Sequence, residues 1–164
     1  MSDKDKVIIA KYAHGEERLL QESGHIKLIE LIEMTKNDKN IIDLGENNND
    51  WDNIKKSKLI ESFIINLPVP QLIFSEVGYH KYKIIDGRQR IKAVENYFHN
   101  KFVLTGLNVV QFKFNGCKYK DLPPKIQRTL NNCVIGYANI VSNGDLSSKE
   151  VNEFLDSLAD RYKQ

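Results

Sequence analysis

Hydrophobic positions change period several times along the chain, and each change predicts an element. Between Glu16 and Lys36, Leu19, Leu20, Ile26, Ile29 and Ile32 recur at mostly helical spacing, which predicts helix, with Ser23-Gly24 as a break or a second start. Residues 37 to 53, "NDKNIIDLGENNNDWDN", are rich in Asn, Asp and Gly and predict a loop ending near Trp51. A helix is then expected from Asp52, a reasonable cap. Its apolar face is Ile54, Leu59, Ile60, Phe63 and Ile64, and Pro68 and Pro70 prevent its continuation.

Beyond the prolines, Leu72-Ile73-Phe74 and Tyr82 to Ile85 read as strands around a loop holding Gly78. Ile91, Val94 and Phe98 follow at i, i+3 and i+7, predicting a helix over 88–98. Strands are also expected at Phe102 to Leu104 and Val109 to Phe114, with a turn at Asn115-Gly116. "DLPPKIQRTLNN" predicts a short helix with Pro124 in its first turn, and "CVIGYANIV" a strand. A Ser-x-x-Glu capping box at Ser147 opens a last helix with Val151, Phe154, Leu155 and Leu158 on one face. Interleaved helices and strands joined by short loops favour an α+β fold with a mixed sheet over a doubly wound one. The expected organisation is one globular domain: an N-terminal helical segment and Asn-rich loop over 1–49, a core over 50–141 and a C-terminal helix over 142–164.

Composition narrows the function classes. With 164 residues and 41% hydrophobic content, one core is affordable, and a net charge of +2 leaves any nucleic-acid surface to be local. Two stretches are locally basic: 81–101 has six basic against two acidic residues, and 111–130 has five against one. Tyr82, Phe112, Phe114 and Tyr119 interleave with these charges and offer base stacking if exposed, although alternating aromatics are more often core. Cys117 and Cys133 stand apart from any CxxC pair and read as buried thiols. His14, His25, His80 and His99 form no ligand pair, so no metal centre of the protein's own is expected. The first residues lack the apolar core of a signal peptide and no run is long enough to span a bilayer, which predicts a cytoplasmic protein without membrane contact.

The sharpest chemical signal is the corner Asp86-Gly87-Arg88-Gln89-Arg90, between a predicted strand and a predicted helix. First-turn N–H groups and the positive end of a helix dipole favour an anion, and glycine lets backbone approach it. Asp86 suits capping the helix, orienting an arginine, or holding a divalent cation beside a polyphosphate. Gln89 suits positioning water, and Arg88 or Arg90 suits neutralising phosphoryl charge. Spacing alone leaves the plain alternative open, a common Asp-Gly turn with solvated arginines, because this is neither a Walker loop nor a GxGxxG fingerprint.

An ordered set of motifs adds to that reading: Trp51, "KLIESFIINLPVPQLIFSE" from Lys58 to Glu76, "YKIIDGRQRIKAVENYF" from Tyr82 to Phe98, "FNGCKYKDLP" from Phe114 to Pro123, and "CVIGYANIV". In this order they resemble the DUF262 family, the N-terminal module of GmrSD-type modification-dependent restriction systems, over about residues 50–141. The family's corner usually reads Asp-Gly-Gln-Gln-Arg, so Asp86, Gly87, Gln89 and Arg90 match and Arg88 replaces a glutamine. The resemblance implies a ParB/sulfiredoxin-like α+β fold and an NTP, with Mg²⁺, bound at Gly87, Arg88 and Arg90. It also implies that Asp86 and Gln89 act in any NTP hydrolysis, with Glu61 of the "LIES" segment as a further candidate base or metal contact, or else a salt-bridged helix glutamate. The arginine usual upstream of Trp51 is replaced by Glu46, Asn47, Asn48, Asn49 and Asp50, and no HNH-type nuclease motif follows. A complete nuclease is therefore not expected from this chain alone. The rival expectation is a non-enzymatic regulator that kept the fold and binds DNA or a protein partner.

Overall fold

The computed structural model describes residues 20–36, 41–44, 50–109 and 111–141, with the helical positions 153, 156, 157 and 161. Its centre is a five-stranded mixed sheet in the order β1-β5-β3-β4-β2: β1 is Leu20–Lys27, β2 Ile42–Asp43, β3 Leu72–Gly78, β4 Lys81–Asp86 and β5 Val134–Val141. β1 runs antiparallel to β5, and β3 antiparallel to β4, while β3 and β5, and β2 and β4, are parallel. The helices are α1 (Leu28–Met34), α2 (Asn53–Ile64), α3 (Arg88–Phe98), the short α4 (Gln111–Phe114) and α5 (Pro124–Asn132). The architecture is α+β, as the interleaved pattern predicts.

Local signals account for most of these elements. Asp52 caps α2 by accepting the Lys55 N–H at 2.8 Å, and Pro124 opens α5, where its missing N–H costs nothing. The apolar faces of α1, α2, α3 and α5 join the sheet in one core, burying Leu28, Leu31, Ile60, Leu72, Ile91, Val94, Tyr97 and Leu130. On α3 the fully buried aromatic is Tyr97, and Phe98 is half-buried. Burial, then Cys117 and Asp121, push the Tyr97 hydroxyl well above its ordinary value, and it donates to the Cys117 carbonyl at 3.2 Å.

Three expectations are corrected. The helix expected from Glu16 to Lys36 is instead β1 followed by α1; residues 16–19 lie outside the described residues. Ser23-Gly24 is mid-strand, because eight residues pair with β5 and Gly24 lies under the Tyr137 ring. Pairing across the sheet has overridden helical spacing. The strands expected at Phe102 to Leu104 and Val109 to Phe114 are absent. The first stretch is irregular backbone anchored by buried Phe102 and Leu104, with Leu104 bonded to Gly116 and Cys117; Gln111–Phe114 is a helical turn. Short apolar runs give the same burial in either conformation, so periodicity does not separate them. Ile42–Asp43, inside the predicted loop, forms a two-residue strand on β4.

The turn at Asn115-Gly116 is present, with Gly116 at φ +82°. Cys117 and Cys133 are half-buried free thiols, and burial raises that of Cys133. Phe114 is a buried core ring, and the half-buried Tyr119 packs against the core, stacking on Phe98 at 4.7 Å. The Phe112 side chain, the Ser147 capping box and the face at Val151, Phe154, Leu155 and Leu158 lie outside the described residues. No helix among the described residues is long and apolar enough to cross a membrane.

Candidate functional site

At the Asp86–Arg90 corner, β4 ends and α3 begins with no residue between them except Gly87. Gly87 is the N-cap of α3 at φ +106°, ψ 8°, a left-handed conformation that L side chains rarely adopt. A Cβ there would overlap Cδ2 of Leu72, the first residue of β3, so backbone packs directly on side chain at this point. No side chain caps α3. Its first N–H groups therefore lack the kind of acceptor that Asp52 gives α2, and they sit at the positive end of an eleven-residue helix dipole.

Asp86 does not cap the helix. Its Oδ2 accepts from Arg90 Nη2 at 3.3 Å, and the same nitrogen donates to the Gln71 carbonyl at 2.9 Å. The Arg90 guanidinium is thus fixed from two sides, across β3 and β4, while its Nε–H is buried with no hydrogen-bond acceptor. A buried charged donor without an acceptor is costly in a stable fold, and it marks a place where an anion is favoured.

Gln89 and Arg88 face the segment before α2. Gln89 Oε1 accepts the Trp51 N–H at 3.2 Å. Lys92 donates to Asp50 at 3.0 Å. That hydrogen bond, with the Lys92, Lys56 and Arg88 charges behind it, holds the Asp50 carboxyl below its ordinary range. Lys55 places its ammonium 4.6 Å from the centre of the Trp51 ring. The stretch 50–52 is in this way tied to the first two turns of α3.

Glu61 lies on α2 and is only 5% exposed. Its carboxylate accepts the N–H groups of Val109 at 2.9 Å and Asn108 at 3.4 Å, and one turn earlier Ser57 Oγ accepts the Thr105 N–H at 3.0 Å. These bonds hold an irregular loop against the helix. Glu61→Ala is expected to lower stability by about 2 kcal/mol, because it removes the buried carboxylate that accepts charge-assisted hydrogen bonds from two loop N–H groups. Urea unfolding checks this; an unchanged midpoint would free Glu61 from that structural task.

Sequence reasoning brings Asp86, Gly87 and Arg90 together, and the structure adds Gln71, Leu72, Asp50 and Lys92. Nothing in the sequence marks the Gln71 carbonyl, since every residue has one. Among the described residues no group of three His, Cys, Asp or Glu side chains is arranged to hold a metal. Of the six cations of 81–101, Lys83 pairs with Asp156 at 2.9 Å, Arg90 with Asp86 and Lys92 with Asp50. Lys113, Lys120, Lys125 and Arg128 are exposed.

No curated protein and no solved structure matches the chain. The family model described as GmrSD restriction endonuclease, N-terminal domain, matches residues 28–163, which takes in α1, the corner and β5. By that match, over most of its length, the chain belongs to the GmrSD restriction endonuclease N-terminal domain family.

Proposed function

We propose that this restriction-system domain is a nucleotide-binding module, with a ParB-like use of its sheet, whose triphosphate is held at the Asp86–Arg90 corner. The observation that carries the reading is the buried, acceptorless Nε–H of Arg90 beside an uncapped helix N-terminus. Gly87 supports it through its left-handed backbone, which lets β4 pass directly into the uncapped first turn of α3. A bound triphosphate would bring Mg²⁺ with it, the ion supplying charge neutralisation between phosphate oxygens. Asp86 is the carboxylate at the corner that fits such an ion, and it already orients Arg90.

Hydrolysis asks more of the site. Gln89 is the residue suited to orienting water, but its amide oxygen holds the Trp51 N–H. Turnover requires that bond to yield, so binding without appreciable hydrolysis is expected of the chain alone. DNA, which a restriction role implies as substrate, would meet the exposed Lys113, Lys120, Lys125 and Arg128, which make no ion pair among the described residues. Association through those residues without any nucleotide is the second reading, that of a DNA-binding regulator.

A thermal-shift screen against ATP, GTP, CTP and UTP, each with and without Mg²⁺, tests the proposal. A ligand at about 100 times its Kd adds about 2.7 kcal/mol, or roughly 5–10 °C in a domain of this size. No shift with any nucleotide, together with a salt-sensitive shift on adding DNA, would transfer the case to the regulator reading.

A further inference from the structure

At the other end of β3 and β4, about 13 Å along the strand from Asp86, the sheet carries a second group of polar residues. Cross-strand register sets Glu22, Asn139 and Phe74 side by side on β1, β5 and β3, and pairs Glu76 with Tyr82 on β3 and β4. Tyr137 pairs with Leu72 and so shares the face of Phe74. The three rings form a row, Phe74 lying 6.1 Å from Tyr82 and 6.3 Å from Tyr137. Room for the row comes from Gly24, where a Cβ would sit 2.7 Å from the Tyr137 hydroxyl oxygen.

The chemistry of this end of the sheet is one-sided. Asn139 is 4% exposed and its Oδ1 is buried without a donor. Among the described residues Glu22 and Glu76 make no ion pair or hydrogen bond, and the hydroxyls of Tyr82 and Tyr137 make none. Burial, then Glu76, Tyr137 and Glu22, raise the Tyr82 hydroxyl above its ordinary value, which independently sets both carboxylates near that ring. The neighbouring Lys81 and Lys83 alternate to the opposite face, where Lys83 meets Asp156. The exposed Glu22, the half-buried Glu76, a buried carbonyl oxygen lacking a donor and the neighbouring tyrosine rings together favour a ligand that is positively charged and rich in N–H. An anion is repelled, and an apolar group would leave Asn139 Oδ1 stranded. Two carboxylates and an amide fall short of the six to eight oxygens of a calcium site.

We infer that this end of the sheet binds an organic cation, an alkylammonium or guanidinium group, whose N–H donors meet Glu22, Glu76 and Asn139 Oδ1 and whose charge lies against the half-buried Tyr82 and Tyr137 rings, with Phe74 as the buried floor between them. Rings and carboxylates acting together are the usual means of holding such a group. Free polyamines and the side chains of lysine or arginine share this chemistry.

The test is calorimetric titration of the full chain at fixed ionic strength with spermidine, with N-acetyl-arginine amide, and with sodium chloride as control. At least one organic cation is expected to bind saturably, and Glu22→Gln/Glu76→Gln to weaken it tenfold or more. Both changes are isosteric and break no hydrogen bond or ion pair among the described residues, so the fold is expected to be retained. Binding of spermidine alone assigns the site to free polyamines, and binding of the arginine derivative assigns it to a basic protein side chain. Heats that match sodium chloride, or binding untouched by the double substitution, overturn the inference. Nucleotide binding at Arg90 is unaffected by either result.

Discussion

Alanine at position 87 is expected to lower the stability of the fold by about 3 kcal/mol, from two independent penalties. A left-handed backbone costs an L residue about 1–2 kcal/mol, and φ is +106° here. Overpacking a filled core adds about 1–3 kcal/mol, because the new Cβ overlaps Leu72 Cδ2 and Leu72 is 0% exposed with nowhere to retreat. The melting temperature should fall by roughly 6–12 °C. Pairing Gly87→Ala with Leu72→Ala separates the two: the smaller neighbour removes the overlap and leaves the backbone penalty. A Gly87→Ala chain that melts with the parent would sink this account of the corner.

The second large effect belongs to Arg90. Arg90→Ala should erase the nucleotide-dependent thermal shift while costing the unliganded chain less than Gly87→Ala does. Arg90→Lys should fail to restore it. One nitrogen of the guanidinium bonds both Gln71 and Asp86, and a different nitrogen, Nε, has no acceptor and is the one the proposed phosphate would meet. An ammonium on a flexible stem offers donors at a single point and cannot serve both places. Undiminished nucleotide binding in either variant would move the phosphate site elsewhere.

What was readable in the sequence follows from how local each cause is. α2 has its cap, apolar face and proline stop within twenty residues, so its start at Asn53 is predictable from Asp52. Gly87 and Arg90 are equally local: a strand, a glycine and an amphipathic helix in succession imply an exposed helix N-terminus. β1 was not readable as strand, because its identity depends on β5, more than a hundred residues later. Residues 102–109 were misread for a related reason. Their backbone is held by Ser57 and Glu61, so the apolar alternation that suggested strands reflects anchoring into the core. The same holds within the site, where the Gln71 carbonyl and the Leu72 side chain act from the far side of a strand pair.

The β1–β5 ladder also governs when the protein can finish folding. Leu20 pairs with Val141 and Lys27 with Val134, so the first described strand waits for the last. Helices α2 and α3 and the β3–β4 hairpin close through short-range contacts, whereas β1 gains its partner after nearly the whole core has left the ribosome. Loop closure over that span makes β1 docking a late, slow event. Until then the edge of β5 is open to other chains, which makes synthesis the period in which this fold is most exposed to aggregation.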